Sequence, residues 1–298
     1  MNPVRNTEPM KKKNKISNGV KSADLHLHTL FSDGTYTPRE LIDQTKRAGL
    51  SCIAVVDHDA ISGIEPTLES ARSSDIEVLP GIELTSECEG LEIHILGYLI
   101  DYKNKDLIER LDLLKKNRIE RIYKIVDKLQ EAGINLKTQD IFDIAGQGTV
   151  GRLHVARALV KEGWVRSTNE AFRKYIGDKC PAYVLGFRLS PDEAIKLIKD
   201  AGGIPVLAHP YTLNRDDLIP KFIDYGLMGL EVYYPEHTQA MTNLYLSLTR
   251  KYNLLVTGGS DCHGDAKPEV KIGSIKIPYE LVKKLKEAKA NMLKADIR

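Results

Sequence analysis

Short apolar runs recur along the chain and alternate with segments of helical spacing. Seven of these runs have the length of strands: 23–27, 52–56, 76–79, 92–98, 204–207, 229–233 and 254–257. Helices are predicted to start between them at Thr37-Pro38-Arg39-Glu40 and Ser190-Pro191-Asp192-Glu193, each with an N-cap hydroxyl, an N1 proline and a capping-box glutamate. Strands that alternate with helices in this way predict a mainly parallel sheet or barrel.

One long stretch interrupts this alternation. From Lys103 to Ala132 the apolar residues follow helical spacing, and further helical segments are predicted at about 151–162 and 168–176. We therefore expect residues 101–184 to form an all-helical insertion between the fourth and fifth strands. Residues 23–100 and 185–298 would form the α/β body, and residues 1–22 a disordered basic tail.

Composition narrows the class of protein. No apolar run approaches the ~20 residues needed to cross a bilayer, and the polar start lacks the apolar segment of a secretory signal. The cysteines form no C-x-x-C pair, which is typical of a protein from a reducing cytoplasm. We expect a cytoplasmic protein that contacts no membrane, and no obligate protein partner is evident.

The net charge of +2 is unevenly distributed along the chain. Residues 1–22 and 101–184 each carry +5, whereas the remainder carries −8. A basic insertion on an acidic body favours an anionic substrate, although a solvated helix face would give the same pattern.

Histidines and carboxylates recur where the apolar runs end. His26 and His28 stand one residue apart in the first run, so their side chains point to the same face of a strand. The other members of this series are Asp33, His58, Glu83, His94, His209, Asp261 and His263. Singly, each has an ordinary structural explanation, such as a hydrogen-bonded core histidine or an aspartate in a turn. Because strand ends meet at one end of a barrel, we expect all nine at one site.

Such a set of side chains indicates a metal centre. Nine ligands are too many for one tetrahedral ion and would serve two or three ions that share carboxylates. Imidazole and carboxylate donors without thiolate favour manganese, zinc or iron over magnesium or calcium. The positive charge left on such a centre would attract a phosphate and stabilise its transition state.

The ordered motifs resemble the PHP (polymerase and histidinol phosphatase) family of metal-dependent phosphoesterases. They are His-x-His, Ser-Asp-Gly, Asp-His-Asp, Pro-Gly-Ile-Glu, an in-strand histidine, Ala-His-Pro and Gly-Ser-Asp-x-His, over residues 23–100 and about 200–265. The resemblance implies a distorted (β/α)7 barrel with three divalent ions, manganese first and zinc or iron(II) as alternatives.

The resemblance also implies how the ligands are shared. One ion would bind His26, His28, Glu83 and Asp261; a second would share Glu83 and use His94 and His209; a third would use Asp33, His58 and His263. Asp57 and Asp59 are then interpreted as acids that orient imidazole rings or cap a helix.

The insertion carries the candidate substrate residues. Residues 146–154, Gly-Gln-Gly-Thr-Val-Gly-Arg-Leu-His, form a glycine-rich approach to a helix, whose N-terminus attracts anions. Arg152 and His154 could clamp a phosphate there, and His154 could protonate the leaving group; a flexible loop with a surface arginine is the alternative. With residues 175–184 this segment resembles the nucleotide-handling branch of the family, in which the insertion closes over the barrel mouth. Lys179 becomes a third candidate phosphate ligand, although Asp178 and Cys180 depart from the pattern.

The predicted activity is hydrolysis of a phosphate ester. A hydroxide bridging two ions would attack phosphorus in line, while the ions and Arg152 hold the non-bridging oxygens. By resemblance, the substrates are 3′,5′-nucleoside bisphosphates or the 5′ ends of short oligonucleotides. The insertion disfavours one alternative, a histidinol-phosphate phosphatase. The complete ligand set and the acidic body disfavour another, a non-catalytic metal-binding accessory module for nucleic-acid enzymes.

Overall fold

The computed structural model of the protein describes residues 21–186 and 188–296, so most of the predicted basic tail lies outside the described residues. Its strands are β1 (Ser22–Leu27), β2 (Cys52–Val55), β3 (Glu77–Cys88), β4 (Leu91–Tyr98), β5 (Ile204–Leu207), β6 (Gly229–Tyr233), β7 (Leu255–Gly258) and β8 (Ile277–Pro278). They form one sheet in the order β7-β6-β5-β4-β3-β2-β1-β8. Seven of these strands match the predicted runs in position, and the short β8 was not predicted.

Apart from the short edge strand β8, which is antiparallel to β1, the sheet is parallel on both sides of an antiparallel centre. β1, β2 and β3 run parallel, as do β5, β6 and β7, but β4 is antiparallel to both of its neighbours. β3 continues far beyond the predicted end at residue 79 and returns through Glu89 and Gly90, both with positive φ. A two-residue turn of this kind matches the twist of a hairpin. The long hairpin, which was not predicted, is the main distortion of the barrel.

The segment that follows β7 meets β1, which nearly closes the barrel. The Asp261 N–H donates to the His26 carbonyl at 2.9 Å, and the His28 N–H donates to the Cys262 carbonyl at 3.1 Å. β1 is therefore joined both to β2 and to the segment that follows β7. The predicted distorted barrel is confirmed, and its closure brings the first and last histidine motifs side by side.

The helices pack around this barrel or within the insertion. They are α1 (Pro38–Arg47), α2 (Ile64–Ala71), α3 (Lys105–Glu131), α4 (Thr138–Ala145), α5 (Arg152–Lys161), α6 (Thr168–Ala171), α7 (Pro191–Asp200), α8 (Ile219–Asp224), α9 (Gln239–Tyr252) and α10 (Tyr279–Asp296). The capping boxes predicted at Thr37 and Ser190 start α1 and α7. Within the described ranges, every helix is too short or too polar to span a lipid bilayer.

The all-helical insertion predicted between the fourth and fifth strands is confirmed. It comprises α3 to α6 and a π-helical turn, Phe172–Ile176, which occupies the second half of the helix predicted at 168–176. The first half of α3 buries Leu107 and Leu111 in a cluster shared with the barrel. Its second half buries Ile125 and Leu129 in a separate cluster with α4 and α5. α3 therefore connects two apolar cores.

Candidate metal centre

Glu83, in the middle of β3, is the centre of the site. It is fully buried, and its two carboxylate oxygens lie close to ring nitrogens of five histidines. The distances are 3.1 Å to His26 Nε2, 3.2 Å to His28 Nε2, 3.3 Å to His58 Nδ1, 2.8 Å to His94 Nδ1 and 3.2 Å to His209 Nε2. β3 can present Glu83 to all of them because it continues past the barrel rim.

Two aspartates extend this centre on either side. Asp261 Oδ1 lies 3.1 Å from His28 Nε2 and 3.4 Å from His26 Nε2, and Asp33 Oδ1 lies 3.2 Å from His263 Nε2. The outer oxygen of Asp261 accepts a hydrogen bond from the Tyr234 hydroxyl. Its inner oxygen is thereby left directed toward the histidines. The structure thus brings all nine predicted ligands together.

The donor atoms fall into three overlapping groups. Within each group the donor atoms all lie within 4.8 Å of one another. The groups are His26, His28, Glu83 and Asp261; His28, Asp33, His58 and His263; and His58, Glu83 and His94. The first is the set expected for the first ion. The other two differ from expectation by including His28 with Asp33 and by placing His58, rather than His209, beside Glu83 and His94.

Several donor atoms have close neighbours but no properly directed hydrogen bond, which tests whether the site fits a metal. Both ring nitrogens of His28, Nδ1 of His58 and Oδ1 of Asp33 are buried without a hydrogen bond to any described residue. Buried polar atoms are ordinarily hydrogen-bonded, so such a cluster of exceptions needs an explanation. Lone pairs of neutral imidazole and carboxylate are the donors that divalent ions take. The residues present therefore fit divalent metal ions.

The pKa shifts of the candidate ligands also fit a site for divalent ions. Burial lowers the pKa of His28, but Asp261 and Glu83 outweigh this effect and raise the pKa to about 9. Burial raises the pKa of Glu83, but the surrounding histidines, His58 first, hold it well below its usual range. In the absence of an ion, protons on His26, His28 and His94, whose pKa values are raised by the nearby carboxylates, neutralise part of this negative charge. A metal must displace those protons, so its affinity will increase with pH.

A carboxylate that was not predicted orients two of the ligands. Glu231 on β6 is fully buried; one oxygen lies 2.9 Å from His26 Nδ1, and the other accepts the His209 N–H at 2.8 Å. The first contact fixes the His26 ring with Nε2 toward Glu83. A lone acid inside the apolar run 229–233 was the available signal. The acids predicted for this role act elsewhere: Asp57 accepts hydrogen bonds from Thr29 and Ser32, and Asp59 binds Arg118.

A cavity of about 180 Å³ opens beside these ligands. It is lined by Asp33, His58, Thr85, Glu92, His94, Arg118, Arg121, Gly151, Arg152, Leu153, Phe172, His263 and Lys267. One wall therefore contains candidate metal ligands from the barrel, and the opposite wall carries arginines from α3 and α5. Arg118 donates to Asp59 Oδ2 at 2.7 Å, which fastens α3 to the strand ends.

Glu92 on β4 connects the two walls. One of its oxygens lies 3.1 Å from His94 Nε2, while the other accepts hydrogen bonds from Arg152, at 2.7 Å, and from Arg188. Arg152 also donates to Asp178 at 3.0 Å. The candidate metal ligand His94 and the predicted phosphate-binding Arg152 thus share one carboxylate.

The other two predicted phosphate ligands lie outside the cavity lining. His154 is buried, and its Nδ1 accepts the Gly151 N–H at 3.0 Å, so the ring caps the start of α5. Burial lowers the pKa of His154 to about 4, which keeps the ring neutral near pH 7. Lys179 is exposed in the turn after the π-helical segment.

The glycine-rich loop of the insertion packs directly on the barrel. Thr149 N–H donates to the Phe31 carbonyl at 3.0 Å. A Cβ on Gly148 would lie only 2.4 Å from the carbonyl oxygen of Ser32, so a side chain there would push the two loops apart. Ser32 precedes the candidate ligand Asp33, and the loop therefore buttresses the metal centre.

Comparison with known proteins identifies the family of the chain. A model of the PHP domain matches residues 24–147. A 5′-3′ exoribonuclease from Haemophilus influenzae is 33% identical over 249 residues, which cover 82% of this chain and 90% of the relative. The chain belongs to the PHP family. The family resemblance of the ordered motifs is thereby confirmed, and the protein is a metal-dependent phosphoesterase.

Two further PHP relatives extend this result. A 3′,5′-nucleoside bisphosphate phosphatase from Chromobacterium violaceum is 32% identical over 250 residues, covering 80% of this chain and 86% of that protein. A solved structure from Bifidobacterium adolescentis superposes on this chain with a TM-score of 0.83 and 31% sequence identity. That protein is assigned by inference as a metal-dependent phosphoesterase. It covers 89% of this chain and 95% of its own. The PHP fold therefore extends over most of the chain, insertion included.

Proposed function

We propose that the protein hydrolyses a phosphate ester of 3′,5′-nucleoside bisphosphates, or of the 5′ end of short oligonucleotides. The observation that carries this proposal is the cavity in which metal ligands of the barrel face Arg118, Arg121 and Arg152 of the insertion. Guanidinium groups bind phosphate oxygens well, and divalent ions bind the same oxygens from the other side. A phosphate ester would bridge the two walls.

The proposal includes three divalent ions, manganese first and zinc or iron(II) as alternatives. Its support is the way in which the donor groups overlap: His28, His58 and Glu83 each belong to two of the three groups. Shared ligands of this kind are typical of a compact multi-ion centre. When bound, the ions would lower the pKa of a coordinated water and neutralise charge on the phosphoryl oxygens.

The residues of the chain itself would position the ester. Arg152 lines the cavity and would exchange its contacts with Glu92 and Asp178 for the non-bridging oxygens. Because His154 Nδ1 accepts a backbone N–H, its proton lies on Nε2, where a neutral ring donates a hydrogen bond but is a poor acid. We therefore propose Arg152 as the principal phosphate ligand, with secondary roles for His154 and Lys179.

The two substrate classes share one reacting unit. Hydrolysis at the phosphorus on O3′ of a nucleotide with a 5′-phosphate releases a 5′-nucleotide in both cases. The second product is inorganic phosphate from a bisphosphate and a shortened strand from an oligonucleotide. One site can therefore serve both activities that the names of the two relatives describe.

A cytoplasmic location also belongs to this proposal. All four cysteines of the chain are free in the structure, as expected for a reducing compartment. The substrates proposed are small nucleotides or short oligonucleotides, and the activity needs no protein partner.

A substrate panel tests the proposal. Purified protein loaded with Mn²⁺ is offered 3′,5′-ADP, a short 5′-phosphorylated RNA and histidinol phosphate, while bound metal is measured by mass spectrometry. We expect phosphate release from 3′,5′-ADP and 5′-nucleotide release from the RNA, both faster than hydrolysis of histidinol phosphate. Metal-replete protein that hydrolyses none of them would overturn the proposal, and preference for histidinol phosphate would overturn the substrate class.

A further inference from the structure

The only tryptophan of the chain is exposed on the helical insertion. Trp164 follows α5, and 40% of its surface is accessible to solvent. Its backbone N–H donates to the Leu159 carbonyl at 2.9 Å, which holds the turn that carries it. A single exposed apolar side chain is ordinary by itself, so the meaning of this one depends on its surroundings.

Trp164 lies in a basic groove on the surface of the insertion. The groove, about 810 Å³, is lined by Gly163, Trp164, Val165, Arg166, Ser167, Asn169, Glu170, Arg173 and Lys174. Arg166 and Arg173 are exposed, and their side chains form no ion pair with a described residue. Lys174 pairs with Glu170 at 2.6 Å. Three cations and one carboxylate therefore leave the lining of this Trp164 groove with a charge of +2.

A middle cavity joins the Trp164 groove to the metal centre. It has a volume of about 350 Å³ and lies between the insertion and the segments that follow β6 and β7. Leu153, Phe172 and Lys267 line both this middle cavity and the cavity beside the metal ligands. Asn169 lines both the middle cavity and the Trp164 groove. The three spaces therefore adjoin in series, from the candidate metal ligands to the exposed indole.

This path is longer than a single nucleotide. α5 begins at Arg152, beside the metal centre, and ends at Lys161, two residues before the first residue of the groove. The ten residues of this helix span about 15 Å, at about 1.5 Å each. A mononucleotide bound at the metal ligands cannot also reach Trp164, whereas a strand of several nucleotides can.

The charges along the path favour a nucleic-acid strand that follows the insertion. On the barrel side, the middle cavity carries Glu236, Asp261 and Glu269 against one cation, Lys267. On the insertion side, its lining is uncharged and becomes basic at the Trp164 groove. A cationic groove that tracks the phosphate backbone, with an aromatic ring on which a base stacks, is typical of single-strand binding without sequence preference.

We propose that the Trp164 groove binds the downstream part of a single-stranded RNA whose 5′ end lies at the metal centre. A base of that strand stacks on Trp164, and phosphates of its backbone pair with Arg166 and Arg173. The inference rests on the proposed function and deepens it, because a strand that continues from O3′ of its first nucleotide must leave the cavity along some path.

The groove separates the two proposed substrate classes. A 3′,5′-bisphosphate ends at the phosphate on O3′ and leaves the groove empty, whereas an oligonucleotide continues into it. Binding in the groove therefore lowers KM for RNA and has no effect on the bisphosphate. Its contribution appears as a difference in kcat/KM between long and short substrates.

The first test compares a 5′-phosphorylated RNA octamer with 3′,5′-ADP in wild type and in Trp164→Ala, both loaded with Mn²⁺. We expect the variant to lose at least about fivefold in initial kcat/KM for the octamer, mainly through KM, because one stacked base is lost. The value for 3′,5′-ADP should stay within about twofold, since that substrate does not reach Trp164. Trp164→Phe should recover most of the loss, because it restores a stacking ring. Tyr123→Ala removes another exposed aromatic side chain of the insertion, outside the groove, and should change neither substrate.

Tryptophan fluorescence provides a readout that does not depend on turnover. Because Trp164 is the only tryptophan of the chain, its emission reports on this groove. In EDTA, which prevents metal-dependent hydrolysis, the octamer should quench this emission, and its affinity should fall as salt rises. The double variant Arg166→Met, Arg173→Met should reduce the slope of log K against log salt by about 1.4, because each phosphate contact of a single strand contributes about 0.7. Lys115→Met with Lys124→Met, on the exposed face of α3, should leave the slope unchanged.

The outcomes separate this inference from the proposed function. Unchanged Trp164 emission with the octamer, or equal losses of kcat/KM for the octamer and 3′,5′-ADP in Trp164→Ala, would overturn the groove as a strand-binding site and leave the proposed function standing. A wild type that hydrolyses no phosphate ester would overturn the proposed function, and the fluorescence titration would still decide about the groove.

Discussion

The barrel and the helical insertion contribute different chemistry to one cavity. All nine candidate metal ligands are barrel residues on strands or in the segments that follow them, and six of the nine are buried. The insertion contributes arginines from α3 and α5, whose charges face those ligands. One region therefore supplies donors for cations, and the other supplies donors for anions.

The two regions also differ in the contacts that hold their functional side chains in place. The barrel ligands are fixed by sheet hydrogen bonds and by the hairpin of β3 and β4. The insertion has its own apolar cluster and reaches the barrel through the first half of α3, the Arg118–Asp59 pair and the loop at Gly148. We therefore expect the barrel to set the reaction and the insertion to influence the choice of substrate.

The largest effect is expected from a change at Glu83, the carboxylate at the centre of the candidate metal site. Glu83→Gln keeps the size of the side chain but removes the charge that five histidines contact and two donor groups share. We expect kcat to fall by about a thousandfold or more on every substrate, and bound metal to be lost. The reason is that the remaining ligands carry too little negative charge to neutralise the metal ions. Phosphate release and metal content per chain are the measurements.

Glu87→Gln is the control for this change. Glu87 lies on the same strand but accepts the Gly90 N–H in the hairpin turn, away from the metal centre. It should retain wild-type activity and metal. If Glu83→Gln kept its metal and lost activity only on 5′-phosphorylated substrates, selectivity would lie in the barrel and the division described above would be wrong.

The metal centre could be predicted from sequence because its signals are local. A histidine at the end of an apolar run is visible in the chain, and strand ends converge in any barrel. The hairpin was missed because Pro80 and Gly81 suggest the end of a strand, whereas here Gly81 fits only because its missing Cβ avoids Val56 and the Gly97 carbonyl. Tertiary packing thus overrode a local turn signal.

The wall of the cavity that carries the arginines could not be predicted, because each arginine finds its partner far away in the sequence. The partners Arg118 and Asp59 lie 59 residues apart, and Arg188 and Glu92 lie 96 apart. Arg118 and Arg121 resemble ordinary charges on a helix surface until α3 is placed over the barrel. The glycine-rich loop did point to the right segment, but its histidine caps α5 instead of lining the cavity.

A smaller effect is expected where the insertion rests on the barrel. Gly148→Ala would place a methyl group 2.4 Å from the Ser32 carbonyl and force the loop away from Asp33. We expect kcat/KM to fall about tenfold and the melting temperature to drop by several degrees, because overpacking displaces backbone. Gln147→Ala, an exposed neighbour, should change neither quantity. Unchanged kinetics in Gly148→Ala would show that this contact is not needed for the site.

The smallest effect on turnover is expected at His154. Gln at the same position can keep the capping contact with Gly151, so His154→Gln should retain kcat within about threefold. A loss of a hundredfold or more at normal stability would instead make His154 a catalytic residue.

The pH dependence of the free energy of unfolding should report the lowered pKa of His154. Its pKa is lowered to about 4 in the folded protein, while an unfolded chain has about 6.5, so only the unfolded state gains a proton between these values. The stabilisation from the neutral ring is therefore complete above pH 6.5 and decreases toward pH 4, by about 3 kcal/mol at most. Wild type should lose more free energy of unfolding than His154→Gln between pH 7.5 and 5, as measured by urea titration. Equal losses would mean that the His154 ring titrates normally in the folded protein.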